Sequence, residues 1–166
     1  MRRTFPVFGP ALAFFLLIAA VSANAQSQSI TVQVEDKPAV TVTAGDLTQI
    51  PRHKVVLNEH GTRIPYEGVL LHDVLARGGA PFGNELRGKA LSSYVLATAQ
   101  DGYQVVYTLT ELDPAFVDSE ILVADRRDGK PLDEKEGPFR IVVPGEKKPA
   151  RSLRMLERLQ VTQVRK

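Results

Sequence analysis

The side chains able to do chemistry near neutral pH are few in this sequence. His53, His60 and His72 supply the imidazoles, with Glu59 and Asp73 beside two of them. They form neither an i, i+4 pair nor a His-x-His on a strand, so their spacing matches no zinc site. His72 is expected to face solvent on a short helix. Asp118, Glu120 and Asp125 read as lying along one strand, but hydrolysis by paired carboxylates needs a fixed separation that spacing alone does not give. Tyr94, Tyr103 and Tyr107 fall on strand-like segments, where sheet packing is the expected use and stacking on a ligand the other. Asp125-Arg126-Arg127-Asp128 reads as a solvated hairpin tip. The chain has no cysteine, which excludes disulfides, thiolate nucleophiles and thiolate metal sites. It also lacks a Gly-x-Ser-x-Gly elbow, a P-loop and a Gly-x-Gly-x-x-Gly fingerprint. The loop GGAPFG (Gly78–Gly83) contains a proline and follows a helix, so it is no phosphate cradle.

Charge and targeting bound the setting. Arg2 and Arg3 precede a short apolar run, Ala11–Val21, and Ala23-Asn24-Ala25 is a small-x-small cleavage site. This is the pattern of a signal peptide over residues 1–25, and the run is shorter than the ~20 residues that span a bilayer. Removal leaves residues 26–166 as one domain, expected to be soluble and to lie in the periplasm or outside the cell. The two signal arginines account for the formal net charge of +2, so the remainder is neutral. The high isoelectric point is therefore no argument for nucleic acid, and no membrane span is expected after cleavage. Charge is still uneven. Residues 140–166 carry eight Lys or Arg against two acids, and residues 109–136 carry nine acids against four bases. The basic end could meet an anion or pair with the acidic segment.

The elements that must position these groups are short. Ile30–Val34 alternates apolar and polar and predicts a strand, followed by a turn at Asp36-Lys37-Pro38 and a second strand at Val40–Thr43. Thr43 can cap a helical turn through Leu47, ended by Pro51. Arg52–Leu57 is a strand candidate. Leu70, Leu71, Val74 and Leu75 have helical spacing, with Gly78-Gly79 as the stop. Ser93–Ala99 and Tyr103–Leu109 predict a hairpin turning at Asp101-Gly102, with Tyr103, Val105, Tyr107 and Leu109 sharing a face. Thr110 could cap a helical turn broken at Pro114. Glu120–Ala124 and Lys130-Pro131-Leu132 predict a second hairpin around Asp128-Gly129. Phe139–Val143 reads as a short apolar strand, Ser152 as the cap of a helical turn through Leu156, and Leu159–Val164 as a closing strand. No repeat or linker is visible, which gives a mixed α+β domain whose strand order the pattern does not fix.

Several of these segments, in order, resemble one family. YEGVLLHDVL (Tyr66–Leu75), ATAQDGYQVVYTL (Ala97–Leu109), ILVADRRDGKPLDEKEGPFRIVVPG (Ile121–Gly145) and ARSLRMLERLQV (Ala150–Val161) are similar to successive segments of sulfite-oxidase-type molybdopterin-binding domains. The likeness runs over roughly residues 40–164. It implies a single mixed-sheet α+β domain with short helices. It also implies that Arg151, Ser152 and Arg154 stand where family members contact the cofactor. Cations beside a loop-to-helix start would offer a phosphate charge-assisted bonds and free backbone N–H groups. The competing use of Arg151 and Arg154 is pairing with acids such as Glu157, or lying solvated.

Three departures qualify what the resemblance implies. The family's metal-ligating cysteine should fall near Val56 or Leu57, where apolar residues and Asn58 stand instead. Met155 replaces an aromatic residue, and GEKKPARS is a shortened, proline-interrupted form of the cofactor-facing loop. Molybdenum in its usual protein site takes a soft anionic ligand, which valine and leucine cannot supply. The sequence therefore leads to an exported protein of this fold without redox catalysis, with no catalytic or metal-ligating residue assigned. It would bind a small anion or an envelope protein. No bound cofactor is expected, molybdopterin being the one candidate that the resemblance admits. The rival is a molybdopterin-dependent oxidoreductase whose metal site uses oxygen or water in place of sulfur. A third option is an interaction protein with no pocket.

Overall fold

Strand patterning accounts for most of the architecture. The computed structural model describes residues 28–164, so the expected signal peptide lies outside the described residues. Strands β1 (Ser29–Val34) and β2 (Val40–Thr43) form a hairpin. Thr43 then caps α1 (Ala44–Leu47) reciprocally: Asp46 N donates to its hydroxyl at 3.2 Å, and Asp46 Oδ2 accepts from Thr43 N at 2.8 Å. Next come β3 (His53–Glu59), β4 (Thr62–Leu70) and α2 (Leu71–Arg77). The predicted hairpin is β5 (Ser93–Ala99) and β6 (Gln104–Thr108), and the second is β7 (Leu122–Arg127) and β8 (Lys130–Pro131). The chain closes with β9 (Arg140–Val142) and β10 (Leu156–Gln163).

Two sheets result. One has the order β2-β1-β10-β5-β6 and is mixed, because β10 runs parallel to β1, with Val32 opposite Leu159. The other is antiparallel, in the order β3-β4-β7-β8, with β9 also paired to β7. The larger core unites residues of both sheets. Ile30, Val95, Tyr107 and Leu159 meet Val69, Val123 and Ile141, together with Leu71, Val74 and Leu75 of α2. Leu57, Ile64, Tyr66, Leu122, Ala124 and Val142 form a second, smaller core on the opposite face of the antiparallel sheet. That sheet is thus covered on both faces, so the run Ile121–Ala124 is continuously apolar where a half-exposed strand would alternate.

Some expectations need correction. No helix forms after Thr110; the segment makes turns, and Glu111 instead accepts from Thr108 N at 2.7 Å. Ser152 does not start a helix. A three-residue 3₁₀ turn, Pro149–Arg151, precedes it, because proline fits the first position of such a turn, and β10 begins soon after. β7 starts at Leu122, so Asp118 and Glu120 lie in the loop before it and do not line a strand with Asp125. The β4 strand was not anticipated, since Pro65 argues against a strand interior. Pro65 pairs with Val56 of β3 and lies just beyond the β7 ladder, where only its carbonyl is used, accepting from Asp128 N at 3.0 Å.

The register between β4 and β7 shifts at Glu67/Gly68, where β7 carries one extra residue, Asp125. A Cβ on Gly68 would lie 2.1 Å from the Val123 carbonyl oxygen, so the strands approach this closely only over glycine. We expect Gly68→Ala to lower stability in urea denaturation by at least ~3 kcal/mol. Gly45→Ala on α1, where the nearest atom to an added Cβ is 3.5 Å away, should leave stability unchanged or raise it by up to about 1 kcal/mol.

Candidate functional site

The apolar strand Phe139–Val143 holds one cation. Arg140 is 2% exposed and sits on β9 behind a large cleft. A buried guanidinium needs anions, and the fold brings two. Glu136 Oε1 lies 3.0 Å from Arg140 Nη1, and Glu59, at the end of β3, pairs with Nη2. Arg140 Nη1 also donates to the Tyr66 hydroxyl at 2.6 Å, and the guanidinium stacks 4.8 Å from that ring. Arg127 on β7 completes the set, donating to Glu136 at 2.7 Å. Two cations and two carboxylates thus neutralise one another around Tyr66. Burial of Tyr66 pushes its hydroxyl pKa up to about 12, against the lowering pull of Arg140, so it stays protonated at neutral pH. A tight turn aims Glu136 inward, with Asp133 Oδ1 accepting from Lys135 N at 2.9 Å and from Glu136 N at 3.1 Å. Within this network the buried Nε of Arg140 finds no acceptor among the described residues.

In front of this network is an open cleft of about 1260 Å³. One end is the β3–β4 turn, Asn58–Gly61, where His60 (φ 51°) and Gly61 (φ 85°) are left-handed, as a two-residue hairpin turn requires. The β5–β6 turn contributes Asp101 and Tyr103. Tyr103 is exposed, and its hydroxyl donates to Ala150 O at 2.9 Å. The far side is residues 146–150 and 152–155. Lys135, Lys147, Lys148 and Arg154 line the cleft as exposed cations, each without an ion-pair partner among the described residues. Asp101 and Glu134 are the acids of the cleft outside any ion pair. Asp101 accepts from Tyr103 N at 2.9 Å, and Glu146 faces Arg151 Nε at 3.4 Å.

The three residues singled out by sequence separate in space. Arg154 and Ser152 line the cleft. Ser152 is buried and its hydroxyl oxygen accepts from Val143 N at 3.0 Å, leaving its proton to donate. Arg151 is not part of the cleft lining. It donates to Glu111 at 2.8 Å, stacks 4.8 Å from the Tyr107 ring, and receives the Tyr107 hydroxyl on its carbonyl oxygen. Burial raises the Tyr107 hydroxyl pKa further than that of Tyr66, so it too remains a donor. Arg151 therefore ties the 146–151 loop to β6, and its acidic partners are Glu111 and Glu146, with Glu157 not among them. The loop-to-helix start imagined beside it is absent: Arg151 ends a three-residue 3₁₀ turn.

The remaining candidates disperse. His53 Nδ1 lies 3.0 Å from Glu120, and His72 Nδ1 lies 2.8 Å from Asp73. His72 is half-buried with its ring 4.2 Å from that of Phe82, a correction to the expectation that it faces solvent. Asp125 pairs with Arg52 at 2.9 Å and Arg127 with Glu136, whereas Arg126, Asp128 and Gly129 of that hairpin are exposed. Among the described residues no three His, Cys, Asp or Glu side chains converge on one point.

The family now follows from more than motifs. The model of the oxidoreductase molybdopterin binding domain matches residues 18–166, and the chain belongs to this family. Its fold resembles the crystal structure of the sulfane dehydrogenase SoxCD from Paracoccus pantotrophus, with a TM-score of 0.62 at 18% identity. The likeness covers 81% of this chain but 38% of that one, so the chain spans well under half of its structural relative. No curated protein matches.

Does the donor set fit the family's cofactor? For a molybdenum held by a protein thiolate it does not. The chain has no cysteine, and the sulfur that lines the cleft is the thioether of Met155. Leu57 is buried in the smaller core and Val56 is an exposed apolar side chain. Of the nearby oxygen and nitrogen donors, Glu59 is committed to Arg140. The cationic side fits an anionic group, and that is a matter of charge, with no metal needed.

Sequence reasoning missed Arg140, Glu136 and Lys135; it weighed Glu59 only as a carboxylate beside His60, and Lys147 and Lys148 only as part of the GEKKPARS loop. A signal for Arg140 existed: one cation within an otherwise apolar strand must either be exposed or find partners. We expect Arg151→Ala to lower stability by about 1–2 kcal/mol through the loss of its bonds to Glu111 and its packing on Tyr107. Arg154→Ala should change stability by less than about 0.5 kcal/mol. Equal effects of the two in thermal unfolding would contradict this placement.

Proposed function

We propose that this protein is exported and binds a small anion in the cleft, and that it carries out no redox chemistry there. The observation that carries the reading is the imbalance of unpaired charge. The buried charges behind the cleft cancel, and Glu146 is taken up by Arg151. Lys135, Lys147, Lys148 and Arg154 then face only Asp101 and Glu134. Ser152 Oγ–H adds a neutral donor to the cleft, which Arg140 also lines. Four free cations are well suited to an oxyanion such as phosphate, sulfate or a carboxylate. The lack of any thiolate supports the absence of molybdenum chemistry. Export rests on Arg2, Arg3, the apolar run and the Ala23-Asn24-Ala25 site, and it would place the protein in the periplasm or outside the cell.

A second reading keeps the enzyme. Asn58, Glu59 and His60 set oxygen and nitrogen donors at the cleft end of β3, and the family is one of oxidoreductases. A molybdopterin site without sulfur from the protein would draw on those side chains. Glu59 would first have to leave Arg140, stranding a buried charge at a cost of roughly 3–5 kcal/mol, which disfavours this arrangement.

Isothermal titration of the full mature chain with inorganic phosphate and with sulfate tests the anion reading. Saturable binding is expected, weakened at least about tenfold in Lys148→Ala/Arg154→Ala, whose fold should be unchanged. Absence of binding at millimolar anion, or equal affinity in the double variant, would rule the cleft out as the site.

A further inference from the structure

We infer that the other end of the molecule docks a partner protein through an apolar side chain carried on a basic segment. The site is a pocket of about 290 Å³ whose lining includes Leu70, Leu112, Val117 and Ile121, with His72 among them. It lies at the Leu70 end of β4, whereas the anion cleft lies beyond the Thr62 end. Eight steps along an extended strand separate those ends by about 26 Å, so the two sites are independent.

The loop that forms the pocket is fixed from within. Asp113 is 2% exposed. Its carboxylate accepts from Gly83 N at 2.6 Å and Ala115 N at 2.8 Å, and its carbonyl oxygen accepts from Phe116 N at 2.9 Å. That rigid turn leaves Phe116 49% exposed and Val117 37% exposed. Holding a phenylalanine in water on an ordered turn beside an apolar pocket is the arrangement of an interface anchor, with little entropy left to lose on binding. A free ligand the size of the pocket would leave Phe116 and the rim of Val117 wet; a polypeptide laid across the loop covers both.

The charge around the pocket selects the partner. Asp118 is exposed and makes no ion pair among the described residues. Glu120 has a half-exposed side chain and pairs with His53, and Asp73 pairs with His72. No lysine or arginine lines the pocket. An anionic membrane surface would be repelled by this rim. A symmetric pairing of two copies through this patch would set one acidic rim against the other, which costs energy. Lysine or arginine flanking the apolar anchor meets the rim with opposite charge.

The test uses the full mature chain, isotopically labelled, and a Lys-Lys-Phe-Lys-Lys peptide as the probe. Controls are the same peptide with glutamates for the lysines and one with glycine for the phenylalanine. Saturable amide shifts are expected within residues 112–121 and at His72, and neither control should produce them. Asp118→Asn/Glu120→Gln should weaken the basic peptide about fivefold while leaving the urea midpoint unchanged. Shifts with the acidic peptide, shifts confined to the cleft, or no shifts at all would overturn the inference. So would a concentration-dependent dimer of the free chain, in sedimentation, that buries Phe116.

Discussion

A guanidinium at 2% exposure is costly to bury unless anions come with it, and Arg140 has two. They come from distant parts of the chain: Glu59 from the end of β3 and Glu136 from the turn before β9, with Tyr66 of β4 and Arg127 of β7 joining them. The network is therefore a joint among four strands and a turn. Removing Arg140 would leave Glu59 without its cation and the Tyr66 hydroxyl without its donor, at a cost of roughly 3–5 kcal/mol. The smaller core, with Tyr66 and Leu57 at its centre, packs beside this joint. The wall of the cleft is thus rigid for an electrostatic reason, while its rim, built from turns, carries the loose charges.

The same joint restricts the chemistry open to the cleft. Glu59 follows on the same strand, two residues beyond Leu57, where a family member would present its cysteine, and it is held by Arg140. Met155, whose side chain lines the cleft, has a left-handed backbone pinned by two bonds, from its N–H to Glu136 O and from Gln100 N to its own carbonyl, each at 2.9 Å. The site is shaped and electrostatically biased, yet its only sulfur is a neutral thioether. Fold and cofactor chemistry are separable properties, and this chain keeps the first without the ligand that the second usually needs.

Much of the fold was legible because its signals are local. The Thr43–Asp46 cap, the Asp101-Gly102 and Asp128-Gly129 turns and the alternation in β1 and β5 each depend on neighbours within a few residues. Strand order was not legible, since the parallel pairing of β1 with β10 joins the two ends of the domain and leaves no local trace. β4 was hidden by Pro65, which is tolerated because it lies just beyond the β7 ladder, where its carbonyl is used and no N–H is needed. The site was half legible. Ser152 and Arg154 do face the cleft, but Arg151, one residue away, turns to Glu111 and Tyr107. Proximity in sequence could not separate them, because a 3₁₀ turn ends between Arg151 and Ser152 and redirects the chain. Arg140 escaped notice because its partners lie 81 residues upstream and four residues before it, a convergence only the tertiary fold creates.

The account stands on a cleft that has cations and no thiolate. Its most direct test is the molybdenum content, by elemental mass spectrometry, of protein purified natively from a host that makes the cofactor in excess. Molybdenum far below one atom per chain is the predicted result. One tightly held atom per chain, retained through gel filtration, would contradict it.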